Sequence, residues 1–462
     1  MQIANRNLNP PAPPESVRLF SRRDLVRLIW PLMVEQLLAI LVGMADTMMV
    51  SSAGEAAVSG VSLVDMINVL INAIFASLAT GGAVVTAQLL GAERRREAQD
   101  SGVQLIWLAA MISVGITVLA LVFRQGLLSL LFGSIEPDVM EASLTYLFIT
   151  GLSFPALALY NSGAALFRVT GNSRVSMYVS VFVNLVNVVG NAVCVFGFKM
   201  GVAGVALPSL VSRTLGAAVI LLLLRRPDSA LTFRGAPLRP NGALMKRILR
   251  IAIPSGVEGM MFQLGRLLVV SLISLFGTAQ IAANAVANNL DGFGVVPGQA
   301  MALAIVTVVG RCVGAGDYDQ AAWYTRKLVL FSTAVMAVWN GAILLTLPLW
   351  LGVYNISAAA SGLASLLVWI HNGLAIPLWS ISFVLPAGLR AASDVRFVMI
   401  TGIASMWIFR IGTSWLLGLL CEWGAVGVWI GMILDWVCRD TAYMIRYVTG
   451  KWRGKGISAT RG

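Results

Sequence analysis

A chain of 462 residues with 58% hydrophobic and only 12% charged side chains has about half the charge of a soluble domain, so its surplus apolar surface must face lipid. A soluble enzyme is thereby excluded, and a net charge of +12 has to be placed along the chain before it is read as nucleic-acid binding. Four cysteines without a close pair and a single histidine, His371, argue against a metal or redox centre, so no catalytic residue, metal or cofactor is assigned.

Residues 1–20, with PPAPP at Pro10–Pro14, read as a disordered cytoplasmic tail. The apolar run that follows begins near Leu25 and is long enough to stay in the membrane, unlike a cleavable leader. Ser21 and Asp24 have capping-box spacing, so a helix is expected to enter the bilayer from Ser21. At about 20 apolar residues per span, twelve spans are predicted. They cover 28–51, 58–88, 103–124, 141–168, 175–196 and 201–224, then 251–275, 279–312, 327–350, 360–390, 397–420 and 425–448. The fold class is therefore an all-α polytopic membrane protein. Basic residues gather at Arg18–Arg27, Arg94–Arg96, the 225–250 connection, Arg326–Lys327, Arg396 and Lys451–Lys455, against only Arg124 and Lys199 on the other side. The positive-inside rule then puts both termini in the cytoplasm and accounts for the net charge, leaving no nucleic-acid partner.

The first span, WPLMVEQLLAILVGMADTMMV, carries Pro31, Glu35 and Asp46. Charge at membrane depth is expensive and usually functional, and a proline removes one backbone hydrogen bond from its helix. Trp30–Ala98 lies over Ile253–Ala321 at a constant offset of 223, pairing Pro31 with Pro254 and Glu35 with Glu258, while Asp46 meets Val269. At 222, Pro155 meets Pro377 and LFRVTGNSR, ending at Arg174, meets GLRAASDVR, ending at Arg396. The chain thus divides into an N-lobe at 21–224, a cytoplasmic linker at 225–250, a C-lobe at 251–450 and a cytoplasmic tail at 451–462. Parallel six-span repeats are a transporter signature, with sites expected at the repeat interface.

WPLMVEQ…MADTMMV, QLLGAERRREA, LFRVTGN, NLVNVVGNAVCVFG, IPSGVEGMMFQLGR, FGTAQIAANAVANNLDG and LRAASDVR together resemble the multidrug and toxic compound extrusion (MATE) family of the MOP flippase superfamily, over nearly all of 20–450. The resemblance implies twelve helices in two pseudo-symmetric lobes and cation-coupled efflux of amphipathic, mostly cationic compounds by alternating access. It also implies that Asp46 occupies the family's N-lobe coupling-acid position and that Asn187 and Asn191 match its fifth-span Asn-x3-Asp/Asn pattern. Sodium-using members can carry a tenth-span carboxylate, which the region around Trp379 and Ser380 lacks, so proton and sodium both stay open.

By depth, Asp46, Asn187 and Asn191 fall together, as an ion or proton site or else as an interhelical hydrogen-bond cluster. No cation is evident at the depth of Asp46 in the first half. Asp65 and Asn68 align with Asn288 and Asp291, with acid and amide exchanged, and suggest cavity-lining faces or contacts with headgroups. Arg410 stands where the first half has Asn187, Glu258 and Arg266 share a helix face, and Asp435 with Arg439 has i,i+4 spacing. Pro31, Glu35, Pro254 and Glu258 are gate or hinge candidates, the glutamates alternatively snorkelling. Tyr160 and Trp379, with several methionines and phenylalanines, are candidates to line an adaptable drug cavity, or else to be core. No GxxxxGK[ST] loop occurs, so direct use of ATP is not expected. The expected function is a monomeric, non-enzymatic antiporter of the cell (inner) membrane, exchanging H+ or Na+ for small amphipathic molecules. The alternative is a flippase for lipid-linked saccharides of the same superfamily.

Overall fold

The computed structural model describes residues 10–457 apart from 53, 134, 135, 228, 234–238 and 355, and all regular structure among them is helical. Apolar runs form helices in a membrane because only helices satisfy every backbone N–H and C=O internally without water. In the first half these are α1 (Arg22–Ser51), α2 (Glu55–Gly91), α3 (Arg95–Val122), α4 (Pro137–Leu152 and Phe154–Val169, bent by 45°), α5 (Ser173–Gly197) and α6 (Ala203–Leu224). The second half gives α7 (Gly242–Phe276), α8 (Thr278–Gly294 and Val296–Gly314), α9 (Tyr318–Leu345), α10 (Ala358–Ala391), α11 (Val395–Leu420) and α12 (Gly424–Val448). Two short helices, Arg124–Phe132 and Leu347–Val353, follow α3 and α9. Several helices start before their predicted spans, α1 at Arg22, α3 at Arg95 and α7 at Gly242, because polar turns that hydropathy rejects continue the same helix.

The repeat is written into the backbone. Left-handed φ values recur at equivalent positions: Gly54 and Gly277, Glu93 and Gly316, Gly171 and Ser393, Lys199 and Glu422, Gly201 and Gly424. Single π turns recur likewise at Val193–Gly197 and Leu416–Leu420. The shared frame extends to ion pairs. Arg168 Nη1 lies 3.0 Å from Glu35 Oε1, and at the equivalent place Arg390 Nη1 lies 2.9 Å from Glu258 Oε2.

Two compact units result. The first comprises Val26–Leu90 and Arg94–Gly256; the second takes in the described chain from Val257 onward, Gly91–Glu93 and the stretch ending at Leu25. Within the first, the connection expected as a cytoplasmic linker is pinned to α3: Gln104 donates to the Arg239 carbonyl (3.0 Å) and accepts from the Asn241 N–H (2.9 Å). The opening turns of α7 also pack there, since a Cβ on Gly81 would lie 2.8 Å from the Ile248 carbonyl oxygen. Within the second unit, the end of the expected disordered tail is ordered. Leu19 donates to Gln320 Oε1 at 2.7 Å, and the Tyr324 hydroxyl both accepts from the Phe20 N–H and donates to its carbonyl. Polar partners far along the chain order this stretch, which composition alone does not reveal. The capping box forms as expected, with the Ser21 N–H donating to Asp24 Oδ2 at 2.9 Å.

Prolines free carbonyls that neighbouring hydroxyls take up. Pro31 cannot donate to the Arg27 carbonyl, and Ser173 Oγ of α5 donates to the carbonyls of Arg27 (3.2 Å) and Leu28 (2.8 Å). At the bend in α4, Pro155 leaves the Gly151 carbonyl to Thr117 Oγ1 of α3, at 3.4 Å. Ser173→Ala should therefore cost about 1–2 kcal/mol of stability. In a Pro31→Ala background the cost should shrink, because an alanine at that position restores the helix's own bond; equal costs in the two backgrounds, read by thermal unfolding in detergent, would refute the assignment. Arg168→Ala should cost more, about 3–5 kcal/mol, by leaving Glu35 buried without its cation. Adding Glu35→Gln to that variant should return much of the loss in the same assay.

Candidate functional site

In the first unit a directional chain of hydrogen bonds ends on Asp46. Ser209 Oγ of α6 is tied to the Val205 carbonyl (3.1 Å) and accepts from Asn187 Nδ2 of α5 at 2.9 Å. That fixes the Asn187 amide, so its Oδ1 faces the next turn and accepts from Asn191 Nδ2 at 3.3 Å. The same Asn191 Nδ2 donates to Asp46 Oδ1 of α1 at 2.6 Å. With both amide protons engaged, Asn191 presents its Oδ1 without a partner although the residue is fully buried. A carboxylate and an unmatched amide oxygen make an all-oxygen set suited to a hard cation or a proton.

A second polar group stands on α2. Asn68 Nδ2 donates to Asp65 Oδ1 (3.2 Å), and Tyr146 Oη of α4 donates to the same oxygen (3.3 Å). The Arg213 guanidinium of α6, anchored on Ser153 Oγ at 2.8 Å, attracts both Asp46 and Asp65. The first half therefore does hold a cation near Asp46, contrary to the sequence expectation; it comes from α6, which the depth comparison of α1 and α5 left out. Tyr146 and Ser209 are members of this site that the sequence did not single out, whereas Arg213, a rare charge inside an apolar helix, reads from the sequence as a structural residue.

The gate candidates Glu35 and Glu258 each have a cationic partner on another helix. Glu35 is not snorkelling: it pairs with Arg168 and accepts from Ser176 Oγ at 3.0 Å in the interior. Glu258 pairs with Arg390 on α10 and not with Arg266 on its own helix. The partners lie in the LFRVTGN and GLRAASD motifs, where their equivalence across the repeat was the available signal. Pro31 and Pro254 sit inside continuous helices.

Of the cavity candidates, Trp379 is core: it is 5% exposed, stacks on Phe383 with ring centres 4.6 Å apart, and covers Gly298 so closely that no Cβ fits there. Tyr160 is half-buried beside Gly216, and Asn288 turns its amide onto the Asn284 carbonyl of its own helix (2.8 Å). Arg410 lies over the Phe262 ring at 5.7 Å with its Nε unpartnered. Asp291 contacts His371, Nε2 to Oδ1 2.7 Å. The expected Asp435–Arg439 pair forms at 3.2 Å in the interior of α12. Among the described residues no three His, Cys, Asp or Glu side chains are grouped to hold a metal.

The MatE family profile matches residues 31–193 and 254–416, two copies displaced by the same 223 residues as the internal repeat. The uncharacterized transporter YisQ of Bacillus subtilis is 26% identical over 441 residues, covering 94% of this chain and 96% of its own. A probable multidrug resistance protein NorM of Thermotoga maritima is 25% identical, with 94% of each chain covered. Among solved structures, an outward-facing multidrug resistance MATE transporter of the MOP superfamily superposes with a TM-score of 0.86 at 20% identity, over 93% of this chain and 94% of the other. A MATE structure in a bent conformation gives 0.84 at 19%, over 98% and 97%. The chain is a multi-pass membrane protein with the two-lobe, twelve-helix fold, and it belongs to the MATE family of transporters.

Proposed function

We propose that this protein is a cation-coupled antiporter that exports amphipathic, mostly cationic compounds from the cell, with Asp46 as the group that exchanges the coupling ion. The observation that carries the reading is the hydrogen-bond chain from Ser209 to Asp46, which delivers donors to one side of the carboxylate and leaves the Asn191 oxygen free. A proton or Na+ taken up by that carboxylate cancels its charge. The Asn191 bond and the attraction of Arg213 then both weaken, because each depends on the charge being present. An organic cation competes for the same charge, so drug and coupling ion exclude one another, which is the requirement for exchange.

Neutralisation of Asp46 acts on α1, the helix whose own bonding Pro31 interrupts. A helix lacking one internal bond, held there by Ser173, can shift between two packings at lower cost than an intact one. In this reading Pro31–Glu35 and Pro254–Glu258 are hinge elements that the ion pairs keep in register, and Asp65, Asn68, Asn288, Tyr160 and Arg410 face the transport path. The names of the NorM relatives support drugs as cargo, and the basic termini support both ends in the cytoplasm; a monomer in the inner membrane completes the proposal.

Everted vesicles loaded with the protein, given a proton or a sodium gradient separately, test the reading by efflux of a cationic dye. The wild type should move dye under one of the two. Asp46→Asn should fold with an unchanged elution profile yet lose gradient-driven transport, and wild-type coupling in that variant would sink the assignment. If neither gradient drives the dye while a lipid-linked saccharide is flipped, the exporter reading gives way to the flippase.

A further inference from the structure

In the second unit two guanidinium groups lie inside spans with no acid at ion-pairing distance among the described residues: Arg266 of α7 and Arg410 of α11. Each stands ten residues before the end of its helix, at Phe276 and Leu420, so they share a depth about 15 Å along the helix from that end. Gly265 brings the two helices together, since a Cβ there would lie 2.3 Å from Met406 Cε, one turn before Arg410. Between Ser405 and Ile411, α11 widens into a π turn, while the equivalent stretch of α5 is regular α-helix. Such turns re-aim a side chain and often mark functional positions. The one here displays Arg410, half-buried, with its Nε unpartnered. At the equivalent first-half positions stand Gly43 and Asn187, so the pair of cations belongs to this unit alone.

The acids nearest Arg410 are already engaged. Asp435 accepts from Arg439 Nη2 at 3.2 Å and from Ser405 Oγ at 2.5 Å, and Asp291 lies 2.7 Å from His371 Nε2. Both attract Arg410 from beyond contact, while Arg266 and Arg439 repel it. The one group against its guanidinium face is the Phe262 ring, 5.7 Å away, and that ring is shared with Arg439 at 5.8 Å. A cation over a ring face recovers only part of what a charge costs at membrane depth, and here two cations divide one ring. Phe262 is itself half-buried and lies one turn before Arg266, so aromatic surface and guanidinium share a face of α7. Phe383 closes the far side, edge-on to Phe262 with ring centres 6.2 Å apart and 4.7 Å from the Arg439 guanidinium carbon.

We propose that the second unit carries an anion site, in which Arg410, with Arg266 beside it, takes the carboxylate or sulfonate of an aromatic amphiphile whose ring packs on Phe262. A planar guanidinium offers paired N–H donors to two oxygens of such a group, and the negative charge relieves the repulsion between the two arginines. The apolar ring of the ligand meets the half-buried phenylalanine, so both ends of the molecule are recognised. The polarity is the reverse of that in the first unit, where Asp46 and Asp65 are the charges on offer. That such anions are cargo rests on the export reading above; that they bind here does not.

Calorimetric titration of the purified protein against a detergent blank, with no ion gradient, tests the site apart from transport. Two probes share one ring system and differ in charge: naphthalene-2-sulfonate and naphthalen-2-ylmethylammonium. The wild type should bind the sulfonate, and Arg410→Gln should weaken that binding by about tenfold or more. The same variant should hold the ammonium probe as the wild type does, which also reports that it is folded. Arg410→Lys keeps the charge without the planar fork and should fall between the two. Inorganic phosphate, which has no ring for Phe262, should bind more weakly than the sulfonate. Sulfonate affinity that is absent in the wild type or undiminished in Arg410→Gln would overturn the proposal. So would an Arg410→Lys variant no better than Arg410→Gln, or phosphate binding as tight as that of the sulfonate.

Discussion

Inside a membrane no water is at hand to satisfy a polar group, and the placement of nearly every interior side chain described above follows from that constraint. A proline inside a helix exposes a carbonyl, so Ser173 and Thr117 stand ready to donate to it. A glutamate in an apolar helix requires a cation, so Glu35 has Arg168 and Glu258 has Arg390. Asp435 is closed off by Arg439 and Ser405. When such groups are matched, the few that keep an unsatisfied atom stand out. The Asn191 oxygen, beside Asp46, is one of them.

The two halves share a frame and differ in what it carries. The prolines, the glutamate–arginine pairs, the left-handed turns and the terminal π turns are common to both, and they concern backbone shape and mechanical integrity. Other titratable groups are not common to the two halves. Asp46 has an apolar counterpart in Val269, and His371 has one in Ile149. Duplication supplies an architecture that can move, and the departures from duplication supply chemistry. A symmetric polar cluster would have pointed to structure; the asymmetry is what supports a coupling role for Asp46.

Much of this was legible in the sequence because it depends on local patterns. Apolar length gives the helices, a constant offset gives the repeat, and short spacings give the Ser21–Asp24 cap and the Asp435–Arg439 pair. The contact of Asp46 with Asn191 followed from depth along two helices. What was not legible depends on contacts between distant segments. Arg168 and Arg390 were visible only as repeat-equivalent letters at helix ends, and nothing in spacing names Glu35 and Glu258 as their partners. His371 looked like a lone histidine on an apolar helix, because Asp291 lies on another helix 80 positions earlier. Trp379 was read as lining because aromatics suit both cavities and cores, and only Gly298 opposite it decides for the core. The stretch before α1 looked loose because its anchors, Gln320 and Tyr324, are about 300 residues away.

The most direct measurement of the central reading observes the Asp46 carboxyl itself. Infrared difference spectra recorded as ethidium is added to the purified protein report carboxyl groups that change between acid and carboxylate. A carboxyl band that appears in the wild type and is lost in Asp46→Asn, while the spectrum of Asp65→Asn retains it, is the expected result. A band of undiminished size in Asp46→Asn would contradict the assignment of Asp46 as the group that exchanges its charge for the drug's.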